Sequence, residues 1–517
     1  MLALFIYKGE GIVNKCVLRA VSLLLVAAMG LSFTSCRKKK KTPAYGGSAI
    51  VGITEVPEQL DPHKATSQCE KEILVNIFEG LYKFNSNGEF IPCLASEVTI
   101  SPDARSYTFT IKEDIRFHDG SDLDTGDVVY SIKRAAGLLP GQNDTPLIPE
   151  LDPVVSVTAS DLQVTVTLDS PDSELIELYT TAIIPEGADD IATTMIGTGP
   201  FKFDSYTPGQ ELILKRNEDS RKKKEPYLDT VVFKIFPDMD TAFTALQNGT
   251  IDILPYISNS MASMLDAETF RIQGKASNSV QVFAFNNNIE PLDDKRVRQA
   301  INYAVNRDDI ILRTMNERGD ELTTGMSPIM VGPYNPSVNG TYAQDLVTAQ
   351  ALMEQAGYQR GFDLTVLVPS DDQLQIDTSL VLQEQLAALN IDLHVELVDP
   401  ATFNERVFEQ KDYETALVTL PCSFDPYEVV SRYASDSPDN FIGYRNTLID
   451  LRLQEIPLTA DEDDRYELYH EILSQLTSDA CSCYIQDPYY VCAVNRRLSG
   501  FKVFPDHVLD MSSVHLA

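Results

Sequence analysis

Tryptophan is absent, histidine occurs only six times, and 42 Lys and Arg face 76 Asp and Glu. His63, His118, His394, His470, His507 and His515 form no HExxH, and no GxSxG or phosphate-cradling glycine loop occurs. Metalloprotease, serine-hydrolase and NTPase readings therefore lack their parts. A glycosidase needs only two carboxylates close in space, so the abundant acids leave that single enzyme class compatible. The formal charge of −34 repels polyphosphates, which argues against nucleic-acid partners. No cofactor motif is present, and metal is not expected.

After the first 35 residues no apolar run approaches the roughly 20 residues of a membrane span. The exception is the start itself. Ala20 to Phe33 is apolar but short, Lys15 and Arg19 precede it, and Thr34 and Ser35 follow, the layout of a secretory signal peptide over residues 1–35. Residues Phe33-Thr34-Ser35-Cys36 resemble a bacterial lipobox, with Phe33 where that motif usually has Leu. The expectation is acylation of Cys36 and a tether over 36–48, whose basic run Arg37 to Lys41 can lie against lipid headgroups. Losing 1–35, with two Lys, one Arg and one Glu, takes the −34 to −36.

The remaining cysteines are Cys69, Cys93, Cys422, Cys481, Cys483 and Cys492, whose pairing the sequence leaves open. Cys481-Ser-Cys483 has neither CxxC spacing nor a nearby histidine, so it reads as buried thiols or a disulfide.

Two styles of secondary structure follow one another. Tyr107, Phe109 and Ile111 alternate with threonines, as do Val164, Val166 and Leu168, which predicts half-buried antiparallel strands. Phe362–Pro369, Ser379–Asn390 and Ile391–Val398 read as strand, helix and strand, a crossover that implies parallel pairing, and Tyr413–Leu420 offers that sheet another strand. Val297, Ile301, Ala304 and Val305 form one helical stripe, and Phe243 and Leu246 another before an Asn248-Gly249 stop.

Six blocks in order carry a more specific signal. They are "LDPHKATS" with "NIFEGLYKFNSNGEFIPCLA", "SPDARSYTFTIKEDIRFHDGSDLDTGDVVYSIKR", "GTGPFKFDSYTPGQELILKRN", "PYLDTVVFKIFPDMDTAFTALQNGTIDI", "FAFNNNIEPLDDKRVRQAINYAVNRDDII" and "LMEQAGYQRGFDLTVLVP". Together they resemble the family 5 solute-binding proteins of peptide- and nickel-type ABC importers. The resemblance implies an α/β, two-lobed receptor of the periplasmic-binding-protein type (type II), with an extra N-terminal subdomain and a cleft that closes about a hinge. Lobe I is expected over 49–80, 186–282 and 480–517, the subdomain over 81–185, and lobe II over 283–479. A monomer without enzymatic activity is expected, anchored outside the cell membrane, delivering short peptides to a permease driven by ATPase subunits, with an extracellular peptide sensor or chaperone as the alternative.

Peptide receptors of this family carry an acid that pairs with the ligand's terminal ammonium. "LPCSFDPYE" occupies that place, where the usual position is nearer Cys422 or Ser423, so Asp425 is the candidate anchor, with a plain Asp425-Pro426 turn as the alternative. Without that anchor, the ligand class widens to modified peptides, opines, saccharides or a nickel chelate. With no tryptophan, cleft aromatics must be Phe or Tyr; Phe285, Tyr427, Tyr489 and Tyr490 are the candidates, and Thr54, Glu55 and Asn286 complete the set. His118-Asp119-Gly120 resembles a catalytic pair but reads as a structural turn.

Overall fold

A computed structural model describes residues 43–222 and 224–517. The expected signal peptide, Cys36 and the basic run lie outside those residues. At the near end of the expected tether, Ala44 bridges Leu516, and Tyr45 packs on Tyr227 with Arg216 over its ring.

One large mixed sheet runs through both lobes. From one edge its strands are Asp392–Val398, Asp363–Pro369, Thr415–Pro421, Ser279–Phe285, Ser482–Asn495, Ile253–Leu254, Ser48–Ile53, Thr230–Ile235, Glu211–Arg216 and Phe201–Thr207. The strand Ser482–Asn495 belongs to both halves. Its first residues pair with Ser279–Phe285 in the second lobe, and its last with Phe270–Ala276 and Ile253–Leu254 in the first. Between Phe270–Ala276 and Ser279–Phe285 the chain passes from one half of the sheet to the other, and within Ser482–Asn495 it passes back.

The βαβ unit is present, with Asp363–Pro369 and Asp392–Val398 parallel in register. Its helix is longer than the apolar pattern suggests, Gln373–Leu386, because Asp372 accepts from the Gln375 N–H and caps the start. The stripe helices run Lys295–Ala304 and Met239–Gln247; Gly249, at φ +76, ends the second.

Within the second half-sheet the strand Ser279–Phe285 is buried on both faces, whereas the edge strand Asp392–Val398 keeps Asp392, His394 and Glu396 exposed. Val282 and Ala284 point into one core with Ala416 and Tyr484, while Phe283 and Phe285 point into the other with Leu417 and Ile485. This removes Phe285 from any cleft, since its side chain is fully buried against Phe283.

The alternating strands Ser106–Ile111 and Gln163–Leu168 pair antiparallel in a separate four-stranded sheet with Ala95–Ile100 and Val154–Ser160. Tyr107, Phe109, Val164 and Val166 bury one face under helix Thr125–Ala135. This is the small subdomain. The "LDPHKA" block fastens it to the first lobe. Arg134 on that helix forks onto both oxygens of Asp61, and its Nη1 donates to His63 Nδ1 at 2.9 Å. His63 Nε2 in turn donates to Ala182 O at 2.8 Å, and burial, with Arg134 beside it, drops its pKa to about 4.

Candidate functional site

Between the lobes lies a cleft of about 1060 Å³. One wall is segment 62–80 of the first lobe with 505–508; the small subdomain adds 82–84, 147–150 and 177–182; the second lobe adds 419–424; the hinge residues Ser277 to Ser279 form the floor. This is the volume range of a specific organic-ligand site.

The hinge is held by polar groups that close on each other. Fully buried Asp487 accepts from the Ser277 and Ser279 N–H groups at 2.9 and 3.3 Å, and from the hydroxyls of Ser277 and Ser327. Burial raises its pKa to about 6 despite those donors. Beside it, Gln486 Nε2 donates to Gln281 Oε1 at 2.7 Å, and Gln281 Nε2 donates to Gln375 Oε1 and Thr378 Oγ1. Both crossing strands are thus pinned by side chains, which narrows the hinge to very few backbone bonds.

Aromatic walls come from Phe78, Tyr82, Phe84 and Phe424. Phe84 of the subdomain and Phe424 of the second lobe meet at 4.2 Å between ring centroids. None of these four was singled out by the sequence, although three stand in the block "NIFEGLYKF".

Part of the charge lining the cleft is paired. Lys83 pairs with Asp510 at 3.0 Å, and Glu79 with Arg221 at 2.7 Å. Cys422 and Ser423, at the place of the family's ammonium-pairing acid, do line the cleft.

The candidate residues distribute unevenly. Asp425 does not line the cleft; its Oδ1 accepts from the Tyr427 N–H at 2.8 Å and caps helix Pro426–Ser431, so the turn reading describes its geometry. Its carboxyl faces Asp172, Glu174 and Glu177 of the subdomain, and burial followed by those charges pushes its pKa up to about 8. Tyr427 packs against the second-lobe core. Asn286 is buried, donating to the carbonyls of Lys411 and Tyr413. Tyr489 donates to Asp320 at 2.7 Å. Tyr490 stacks on His507, a lining residue, with centroids 4.7 Å apart. Thr54 and Glu55 line a side pocket of about 100 Å³ with Glu72 and Tyr256.

His118 is a structural residue: its Nε2 donates to Gly199 O at 3.0 Å and its Nδ1 accepts from the Gly197 N–H. Among the described residues, Asp363, Asp392 and His394 form one exposed trio of potential metal ligands, on strands at the sheet's outer edge.

The family described as bacterial extracellular solute-binding proteins, family 5 Middle, matches residues 89–441. The chain belongs to that family. The oligopeptide-binding protein AppA of Bacillus subtilis is 24% identical over 95% of this chain and 97% of its own length. The glutathione-binding protein GsiB of Pectobacterium atrosepticum is 23% identical over 90% and 94%. Among solved structures, the ABC transporter substrate-binding protein CtaP of Listeria monocytogenes superposes with a TM-score of 0.77 at 28% identity, covering 91% of this chain and 99% of that one. The family 5 receptor thus shares its two-lobed fold along nearly its whole described length. Among the described residues no helix is long and apolar enough to cross a membrane.

Proposed function

We propose that this family 5 receptor captures short peptides in the interlobe cleft and hands them to an ABC permease, making and breaking no covalent bond. The observation that carries this reading is the cleft itself: about 1060 Å³, walled by Phe and Tyr, with a floor of hinge residues. Flat aromatic walls accept varied side chains, while main-chain N–H and C=O groups can be met directly or through water.

Cys36 is the proposed acylation point, placing a monomeric receptor on the outer face of the membrane beside its permease. The intact mass of membrane-extracted protein checks this, since Cys36→Ser would release an unmodified chain. Asp425, Tyr427, Tyr489, Tyr490, Asn286, Thr54 and Glu55 act in this reading as supports of the cleft walls and hinge.

Native mass spectrometry of purified residues 37–517 tests the cargo. A ladder of added masses fitting short peptides supports the proposal. A single non-peptide mass or a metal would replace peptides with another ligand class, and a mass of glutathione would narrow them to one modified peptide.

A further inference from the structure

His394 stands apart from the other histidines. Each of the other five holds a backbone carbonyl with a ring nitrogen, His470 that of Gly332 at 2.8 Å and His515 that of Ser513 at 3.1 Å among them. His394 alone is exposed, and among the described residues its ring has no hydrogen-bond partner. Its ring nitrogens are thus free to act as donors to a ligand.

The side chains that do come near it are two carboxylates. Asp363 and Asp392 are register partners on the parallel strands Asp363–Pro369 and Asp392–Val398, and His394 follows Asp392 by two residues, so all three stand on one face of the sheet. One donor atom from each lies within 4.8 Å of the other two. Among the described residues neither aspartate has an ion-pair partner, whereas Glu396, the next residue on that face, is paired with Arg406 at 2.7 Å.

A patch of acids alone is satisfied by water. Here an imidazole joins the two carboxylates, on positions that a hydrogen-bonded ladder fixes relative to one another. Nitrogen and oxygen donors together suit divalent first-row transition ions such as Zn²⁺, while Mg²⁺ and Ca²⁺ take oxygen ligands. Donors on one zinc ion stand roughly 3 to 4 Å apart, a spacing that small rotations of these exposed side chains supply. The two carboxylates match the charge of the ion, and three protein ligands leave a further position to water.

We propose that Asp363, Asp392 and His394 bind a divalent first-row transition ion, bridging the two strands at the open edge of the sheet. Asp392–Val398 has a single neighbouring strand, so this bridge ties down an edge that the ladder holds from one side only. None of the three residues lines the cleft, and the site is independent of the cargo the cleft carries.

Tag-free residues 37–517, first stripped with a chelator, are titrated with Zn²⁺ in competition with a chromophoric chelator. One equivalent is expected at this site. His394→Ala and the double variant Asp363→Asn/Asp392→Asn should each weaken it about tenfold or more, because loss of even an outer partner of a metal ligand has that effect. Diethyl pyrocarbonate followed by peptide mass spectrometry locates the ion: Zn²⁺ should slow modification of His394 about tenfold or more in the wild type, and not in the double variant. Excess Mg²⁺ should give no such protection. A wild type that binds no zinc, zinc binding that survives His394→Ala undiminished, or a His394 equally reactive with and without zinc overturns the inference. Equal protection by Mg²⁺ overturns it too, since that would reflect diffuse attraction to acidic surface. If a variant shows no cooperative melting, the protection of His394 in the wild type decides the matter.

Discussion

Glu174 of the small subdomain and Arg465 of the second lobe form an ion pair at 3.1 Å, with side chains only 10% and 7% exposed. The Arg465 Nε–H is not aligned for a hydrogen bond; its Nη1 donates instead to the carbonyls of Thr459 and Ala460. Tyr469 donates its hydroxyl to the other oxygen of Glu174, and Ser173 donates to Ile456 O. This seam joins the subdomain to the second lobe; Arg465 acts there on Glu174 and Asp172, while Asp425 faces Glu174, Glu177 and Asp172.

Replacing Arg465 with alanine strands the buried Glu174 among like charges. The expected loss is about 3 kcal/mol of unfolding free energy at pH 8, the cost of breaking a buried pair by removing one partner. At pH 5 the loss should shrink, because burial raises the Glu174 pKa and a protonated carboxyl needs no cation. Urea denaturation at both pH values measures it; equal losses would count against the electrostatic explanation.

The seam also predicts a pH dependence. Asp425 holds its proton up to about pH 8 in this arrangement, pushed there by burial and by Glu174, Glu177 and Asp172, whereas an unfolded Asp loses it near pH 4. A carboxyl with a raised folded pKa favours the folded seam increasingly as pH falls from about 8 towards 4, and opposes it above that window. Melting temperature should therefore rise on moving from pH 9 to pH 6. Asp425→Asn, which can still accept from the Tyr427 N–H, should flatten that slope.

At the hinge, Asp487→Ala leaves the Ser279 N–H and the Ser327 hydroxyl without their acceptor, while the Ser277 N–H keeps the Pro488 carbonyl at 3.1 Å. Each stranded buried donor costs roughly 1 to 3 kcal/mol, so a loss of several kcal/mol is expected. Hydrogen exchange is the informative readout: the Ser279 amide should lose protection first, while those of the small subdomain's sheet keep theirs.

Cys69, Cys93, Cys422, Cys481, Cys483 and Cys492 are all free thiols, and all but Cys422 are buried. Burial raises the pKa of each, that of Cys69, Cys93, Cys422 and Cys492 to about 12, so little thiolate forms at neutral pH. A reducing agent should leave the melting temperature unchanged. A thiol-specific chromophore should react slowly with the native protein, at Cys422 first, and with all six after unfolding; a reductant-sensitive melt would reveal a disulfide.

Local order was legible where short-range pattern decides it. The alternation at Tyr107 to Ile111 names a strand with one buried face, and Val297 to Val305 names a helical stripe, because neighbours in sequence share those faces. The start of helix Gln373–Leu386 was missed because a capping aspartate, not an apolar period, sets it.

The cleft was legible only in outline. Family blocks announced two lobes, yet where individual side chains sit depended on distant partners. Phe285 looks like a cleft aromatic until helices cover both faces of its strand. Asp425 looks like an anchor until Pro426 starts a helix that it must cap. Conversely, Phe78, Tyr82 and Phe424 carry no local signal as cleft residues, and the fold gathers them onto one cleft from distant parts of the chain. The sequence alone determined the elements and the receptor family, through periodicities and ordered motifs that need no third dimension. Only the tertiary structure decided which side chains line the cleft, because that depends on every chain segment that packs around each of them.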